Sequence, residues 1–155
     1  MDLSFLKWPI IILVVVGGGW LLTEGGTNWM YSKLKSQSIG QDETQDAATE
    51  ASLSRLGGYL IMTFRYDKCA DVIEYTTTNF YPGGPGGARH YYHNLYRLAK
   101  CREKQGRYQE SIQILRDLAY GNAHELDGRV PEFDQLRLRG EKLMETHDIG
   151  EVGTF

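Results

Sequence analysis

Two histidines three residues apart, His90 and His93, follow a glycine-rich run in "NFYPGGPGGARHYYHNLY", residues 79–96. On a helix that spacing puts both imidazoles on one face, where they can share a metal ion. No third ligand stands nearby in the sequence, so the fold would have to bring up Asp67 or Glu74. The glycines raise a second chemistry, because backbone N–H groups ahead of a helix attract anions, and Arg89 is adjacent. A phosphate loop needs a preceding strand and a GK[ST] or GxGxxG pattern, and "GGPGGARH" has neither pattern. The expected role of the run is a stretched connection between helices. His90 and His93 are then expected on a polar-aromatic surface with Tyr91, Tyr92 and Tyr96. The two cysteines, Cys69 and Cys101, match no zinc, redox or haem-attachment spacing and are expected as reduced, packed thiols. No Ser–His–Asp or Cys–His arrangement can be read from the chain. No catalytic residue, cofactor or enzymatic activity is therefore expected.

The chain has 155 residues and a formal net charge of -3, enough for one modest domain plus an appendage. Mild acidity argues against nucleic acid as a partner, since phosphate binding needs a basic face. The appendage is at the start. Residues 8–23, "WPIIILVVVGGGWLLT", carry no charge. Counted from Phe5 to Leu22, the run gives about 27 Å of helix, close to the roughly 30 Å of a bilayer core. The count includes Lys7, whose stem can snorkel. Trp8 and Trp20 near the ends, and Trp29 and Tyr31 beyond, suit the water–lipid interface. Gly17, Gly18 and Gly19 leave a smooth face for a neighbouring helix. A cleaved secretory signal would need a small-x-small site, which bulky Trp20, Leu21 and Leu22 do not supply. A single-pass anchor over residues 1–24 is expected. Lys7 on a short N-tail points to a non-cytoplasmic, periplasmic position for the rest, against the opposing pull of Lys33 and Lys35.

Gly25 and Gly26 are expected to break the first helix, with a juxtamembrane segment and acidic linker over 25–46. Apolar residues then recur at spacings of three and four, which predicts helices. One runs over 47–64 with Leu53, Leu56, Leu60 and Phe64, and a second over 66–80 with Tyr66, Cys69, Ala70 and Ile73. A third covers 88–105 with Tyr91, Leu95, Leu98 and Ala99. A fourth covers 108–121 with Tyr108, Ser111, Ile112, Leu115 and Leu118. A fifth covers 131–147 with Phe133, Leu136, Leu143 and Met144, opened by Pro131. Residues 148–155 read as a loose tail.

The helix pairs share a pattern. Leu53, Leu56, Gly57, Leu60, Tyr66, Cys69 and Ile73 have the offsets of Leu95, Leu98, Ala99, Arg102, Tyr108, Ser111 and Leu115. Small residues at Gly57 and Ala99 let two helix backbones approach. This pattern, above all "LYRLAKCREKQGRYQESIQIL", resembles the tetratricopeptide repeat, and "NFYP" is similar to the helix exit of that family's envelope-associated branch. The resemblance covers about residues 47–123. It departs at Arg102, where an aromatic is usual, at Cys69 and Ser111, where alanine is usual, and at Phe64, where glycine is commoner. Tyr66 and Tyr108 are 42 residues apart, about eight more than the family's roughly 34.

The resemblance implies a TPR-like array of two hairpins plus a capping helix over 47–147, so that with the single transmembrane helix read from the apolar run the expected fold is all-α. It implies a concave face lined by Ser54, Gly58, Ile61 and Met62 and by His93, Tyr96, Lys100, Glu103 and Lys104. Such a face suits a peptide or another subunit. The expected function is a membrane-anchored protein-interaction scaffold, an accessory structural subunit of a membrane complex whose partners are other membrane proteins or peptides and the bilayer. A transient envelope assembly factor and a small metal-binding protein using His90 and His93 are the alternatives.

Overall fold

The structure, a computed structural model, describes residues 4–21 and 23–150; within the first helix the side chains of residues 4–7, 10, 13 and 14 lie outside that description. Among the described residues every secondary-structure element is helical, with no strand. They divide into two compact units, Met1–Gln37 and Ser38–Phe155.

The first unit holds α1 (Ser4–Leu21) and α2 (Glu24–Lys35). Thr23 caps α2, its hydroxyl oxygen accepting from the Gly26 N–H at 3.3 Å. Gly25 and Gly26 therefore sit in the first turn of α2, and the break expected at them falls earlier, between Leu21 and Glu24. Gly26 is buried against the backbone of Trp20 and Leu21, where a side chain has no room. Trp20 and Trp29 pack with ring centroids 6.1 Å apart, and Lys33 lies over the Trp29 ring. Trp8, Ile11, Ile12, Val15, Val16 and Trp20 of α1 are exposed. The expected transmembrane count also uses Phe5, Leu6, Lys7, Ile10, Leu13, Val14 and Leu22, whose side chains lie outside the described residues. Among the described residues, no helix is long and apolar enough to cross a membrane.

The second unit holds α3 (Glu43–Met62), α4 (Tyr66–Asn79), α5 (Tyr91–Lys104), α6 (Tyr108–Tyr120), α7 (Ala123–Leu126) and α8 (Phe133–Thr146). Each helix packs on the next: α3 on α4, α4 on α5, α5 on α6 and α6 on α8, while α3 also touches α5. The result is two helical hairpins, α3–α4 and α5–α6, followed by a fifth long helix. α3 starts four residues before the expected position. Asp42 caps it, accepting from the N–H groups of Thr44 at 2.9 Å and Gln45 at 3.3 Å, and Glu43 and Asp46 favour the positive end of its dipole. The acidic stretch is thus a helix start. Phe133 opens α8 rather than filling its core and is exposed, whereas Leu136 and Leu143 are buried.

The turns show the repeat most directly. Phe64, Gly106 and Asp148 have positive φ of 60°, 76° and 49° and are spaced 42 residues apart. After each, an N–H reaches back five residues: Arg65 to Leu60 O at 2.9 Å, Arg107 to Arg102 O at 2.8 Å, and Ile149 to Met144 O at 3.1 Å. This six-to-one bond closes a helix in the Schellman manner. Residues 148–150, expected in a loose tail, form the third copy of the turn. Nothing crowds a Cβ at Gly106, so Gly106→Ala is expected to cost about 1 kcal/mol through left-handed strain alone. Urea denaturation measures it, and an unchanged midpoint would mean the turn tolerates an ordinary residue.

Gly57 closes the first hairpin. A Cβ there would lie 2.8 Å from Ile73 Cγ1, so only glycine allows the approach. Arg102, at the offset of Leu60, is buried by a different device. Its guanidinium meets Glu74 of α4 at 2.9 Å and Glu110 of α6 at 3.2 Å. Arg102 thereby ties three helices together through charge, where Leu60 uses apolar packing.

Candidate functional site: an uncompensated basic groove

The glycine run serves packing. Gly86 is buried against the start of α3, where a Cβ would come within 2.8 Å of the backbone at Asp46 and Ala47. Its φ of 68° adds a second reason for glycine. The run then delivers His90 to Glu50. The buried Glu50 carboxylate accepts from the His90 N–H at 3.1 Å and meets His90 Nδ1 at 2.8 Å. His93, one turn on, does not join it, and its buried Nδ1 has no hydrogen-bond partner among the described residues. The two histidines, spaced for one metal, thus do not share a partner. Among the described residues no three His, Cys, Asp or Glu side chains converge as a metal site requires.

Helices α3 and α5 frame an open groove of about 480 Å³. Ile61, Met62, His93 and Lys100, all expected on the concave face, line it together with Gly58, and Arg55, Tyr59 and Arg97 join them. Four expected members lie differently. Tyr96 packs against the core of the second hairpin, and the Lys100 ammonium sits 4.3 Å above its ring. Glu103 turns to α8, where Arg139 Nη2 donates to it at 2.6 Å. Lys104 is exposed at the end of α5 and does not line the groove. Ser54 is buried below the groove floor.

The groove's charge follows from a periodicity. Arg55, Arg97 and Arg139 are spaced 42 residues apart, one on the first helix of each layer. Glu103 and Ile61 are equivalent by the same spacing. In the last layer Arg139 is neutralised by Glu103. One layer earlier, the corresponding position beside Arg97 is Ile61, which carries no charge. Arg97 Nη1 donates instead to neutral acceptors: Ser54 O at 3.0 Å and Ser54 Oγ at 3.2 Å. Ser54 Oγ in turn donates to Asn94 Oδ1 at 2.9 Å. Gly58 makes room for this arrangement, since a Cβ there would stand 3.1 Å from Arg97 Nη2. Burial lowers the Arg97 pKa from its ordinary value. It is a cation held where its charge is costly, with no carboxylate lining the groove among the described residues.

His93 adds no charge at neutral pH. Burial first, then the charges of Arg97 and Arg129, lower its pKa from 6.5 to about 4. In the unfolded chain the ring titrates near 6.5, so between about 4 and 6.5 the unfolded state binds the extra proton. Stability therefore falls as pH drops through that window, and this contribution is absent above it. His93→Gln is expected to flatten the slope of stability against pH there, read from denaturant midpoints. An unchanged slope would place the titrating group elsewhere.

Comparison with family models, with curated proteins and with solved structures gives no match for this chain.

Proposed function

We propose that this protein is a membrane-anchored, TPR-like interaction scaffold that holds an acidic, extended segment of a membrane-protein partner in the α3–α5 groove. The observation that carries this reading is Arg97. It belongs to an arginine ladder whose last member is neutralised inside the fold, while Arg97 itself has only neutral acceptors. Arg55 and Lys100 add charge to the same groove, and Ile61 and exposed Met62 add apolar surface. Cations beside apolar side chains suit acidic residues interleaved with aliphatic ones. The function is placement and needs no turnover.

The packing order of the hairpins supports the TPR-like reading, because α3 touches both its own partner α4 and the next first helix α5. The anchor rests on the uncharged run over 8–23 and on the exposed apolar residues of α1. A Cβ at Gly17, Gly18 or Gly19 would meet nothing, which leaves that face open to a neighbouring transmembrane helix. A permanent accessory subunit is favoured over a transient assembly factor, since two hairpins and one further helix make a short stack that gains from a partner.

Full-length protein extracted in mild detergent is expected to carry a stoichiometric membrane protein through size exclusion, identified by mass spectrometry. Extraction without detergent, or a monomer with nothing bound, would contradict the anchored-subunit reading.

A further inference from the structure

Cys69 of α4 and Cys101 of α5 are both fully buried, and their sulfur atoms lie 2.8 Å apart. They belong to different hairpins, and α4 packs directly on α5. Sequence spacing alone matches no redox or metal pattern, so this meeting becomes visible only in the fold. Among the described residues no further His, Cys, Asp or Glu joins them as a metal would require. The thiol at 69 is also not needed for packing. The equivalent position of the second hairpin is Ser111, equally buried, so a hydroxyl of similar size fits this crossing.

We propose that Cys69 and Cys101 are a disulfide pair that joins the two hairpins. The oxidant is a disulfide, either a small molecule such as oxidised glutathione or a protein disulfide. The thiolate of one of the two cysteines attacks one sulfur of the oxidant, forming a mixed disulfide and expelling one thiolate. The other cysteine, having lost its proton, then attacks the protein sulfur of that mixed disulfide and expels the second. Two cysteine thiols are oxidised and one external disulfide is reduced to two thiols, so atoms and electrons balance.

The thiolate is the attacking species in such exchange. Neither sulfur has exposed surface. Exchange therefore takes place while α4 and α5 are apart, during folding or a local opening, and the bond then locks them together.

The staple closes a loop of 32 residues' separation and is expected to raise the melting temperature by roughly 10 °C. It is independent of what the groove binds.

The test uses the full chain, refolded in glutathione buffers from fully reduced to strongly oxidised. The protein is then denatured without reductant, alkylated with a maleimide and weighed intact. The expected product under oxidising buffer is a monomer lacking two hydrogens, carrying no label, and melting higher than the reduced form. Cys69→Ser, which installs the residue of the second hairpin, is expected to fold, to take one label, and to lose the dependence of melting on oxidant. Two labels on the wild type at every ratio, a glutathione adduct as the stable end product in place of the internal bond, or a disulfide-linked dimer would each overturn the proposal. If Cys69→Ser fails to fold, the labelling and melting of the wild type decide alone.

Discussion

Reversing two groove charges together, Arg97→Glu with Lys100→Glu, is expected to weaken binding of an acidic peptide by at least about 100-fold, because each reversal replaces an attraction with a repulsion worth roughly a factor of ten. The probe is a fluorescein-labelled octapeptide alternating Glu or Asp with Leu, followed by anisotropy. Arg97 is the stronger determinant, since it is half-buried and pinned by Ser54, whereas Lys100 rests over Tyr96 and can swing. Binding to the wild type should also weaken in high salt, as screening shortens the reach of the open part of the site. A peptide with Lys in place of the acids should not bind. Equal binding by the wild type and the double variant, with both folded by circular dichroism, would remove the groove from the account.

Leu115→Ala is expected to destabilise the second unit by about 2–5 kcal/mol. Leu115 is completely buried in a cluster drawn from α5, α6 and α8 and the α7–α8 segment, with Ala99, Ile112, Leu118, Val130 and Leu136. Truncation there leaves a hole facing three helices, each already held by its own turn, so collapse around it is limited. Those helices are joined in one core, and the loss should therefore appear in a single denaturation transition. A change below about 1 kcal/mol would mean the cluster relaxes freely and is not the packed centre of the fold.

Most helices were legible because their apolar spacing is regular and their breakers are strong. The second hairpin is the best case, where Gly106 and Gly121 bracket α6 to within two residues of its observed bounds. The misses have physical causes. The start of α3 was hidden because its first turn is polar, including the buried Asp46, and is held by the Asp42 cap and not by apolar side chains. The short α7 carries too few residues to show a period. Asp148 was read as tail because it is not glycine, yet it adopts the same left-handed turn as Gly106.

The groove was half legible. Ile61, Met62, His93 and Lys100 follow from the offsets of the repeat resemblance. Arg55 and Arg97 were missed although Arg55, Arg97 and Arg139 mark the 42-residue spacing as plainly as the tyrosines do. Pattern matching on large and small apolar positions passes over a repeating charge. Which arginine lacks a carboxylate then depends on a contact between layers, Glu103 with Arg139, and such contacts emerge only from the fold. The Cys69–Cys101 meeting is of the same kind.

The central claim is that the α3–α5 groove holds a partner segment, and site-specific photo-crosslinking in the native membrane tests it most directly. A photoreactive residue replaces Met62, which is 78% exposed on the groove wall. A second copy of the experiment carries it at Leu126, exposed and not among the groove-lining residues. The account predicts one dominant adduct from position 62, mapped by mass spectrometry to an acidic segment of a membrane protein and abolished by Arg97→Glu with Lys100→Glu. An adduct from position 126 and none from 62, or a position-62 adduct indifferent to the two charge reversals, would contradict it.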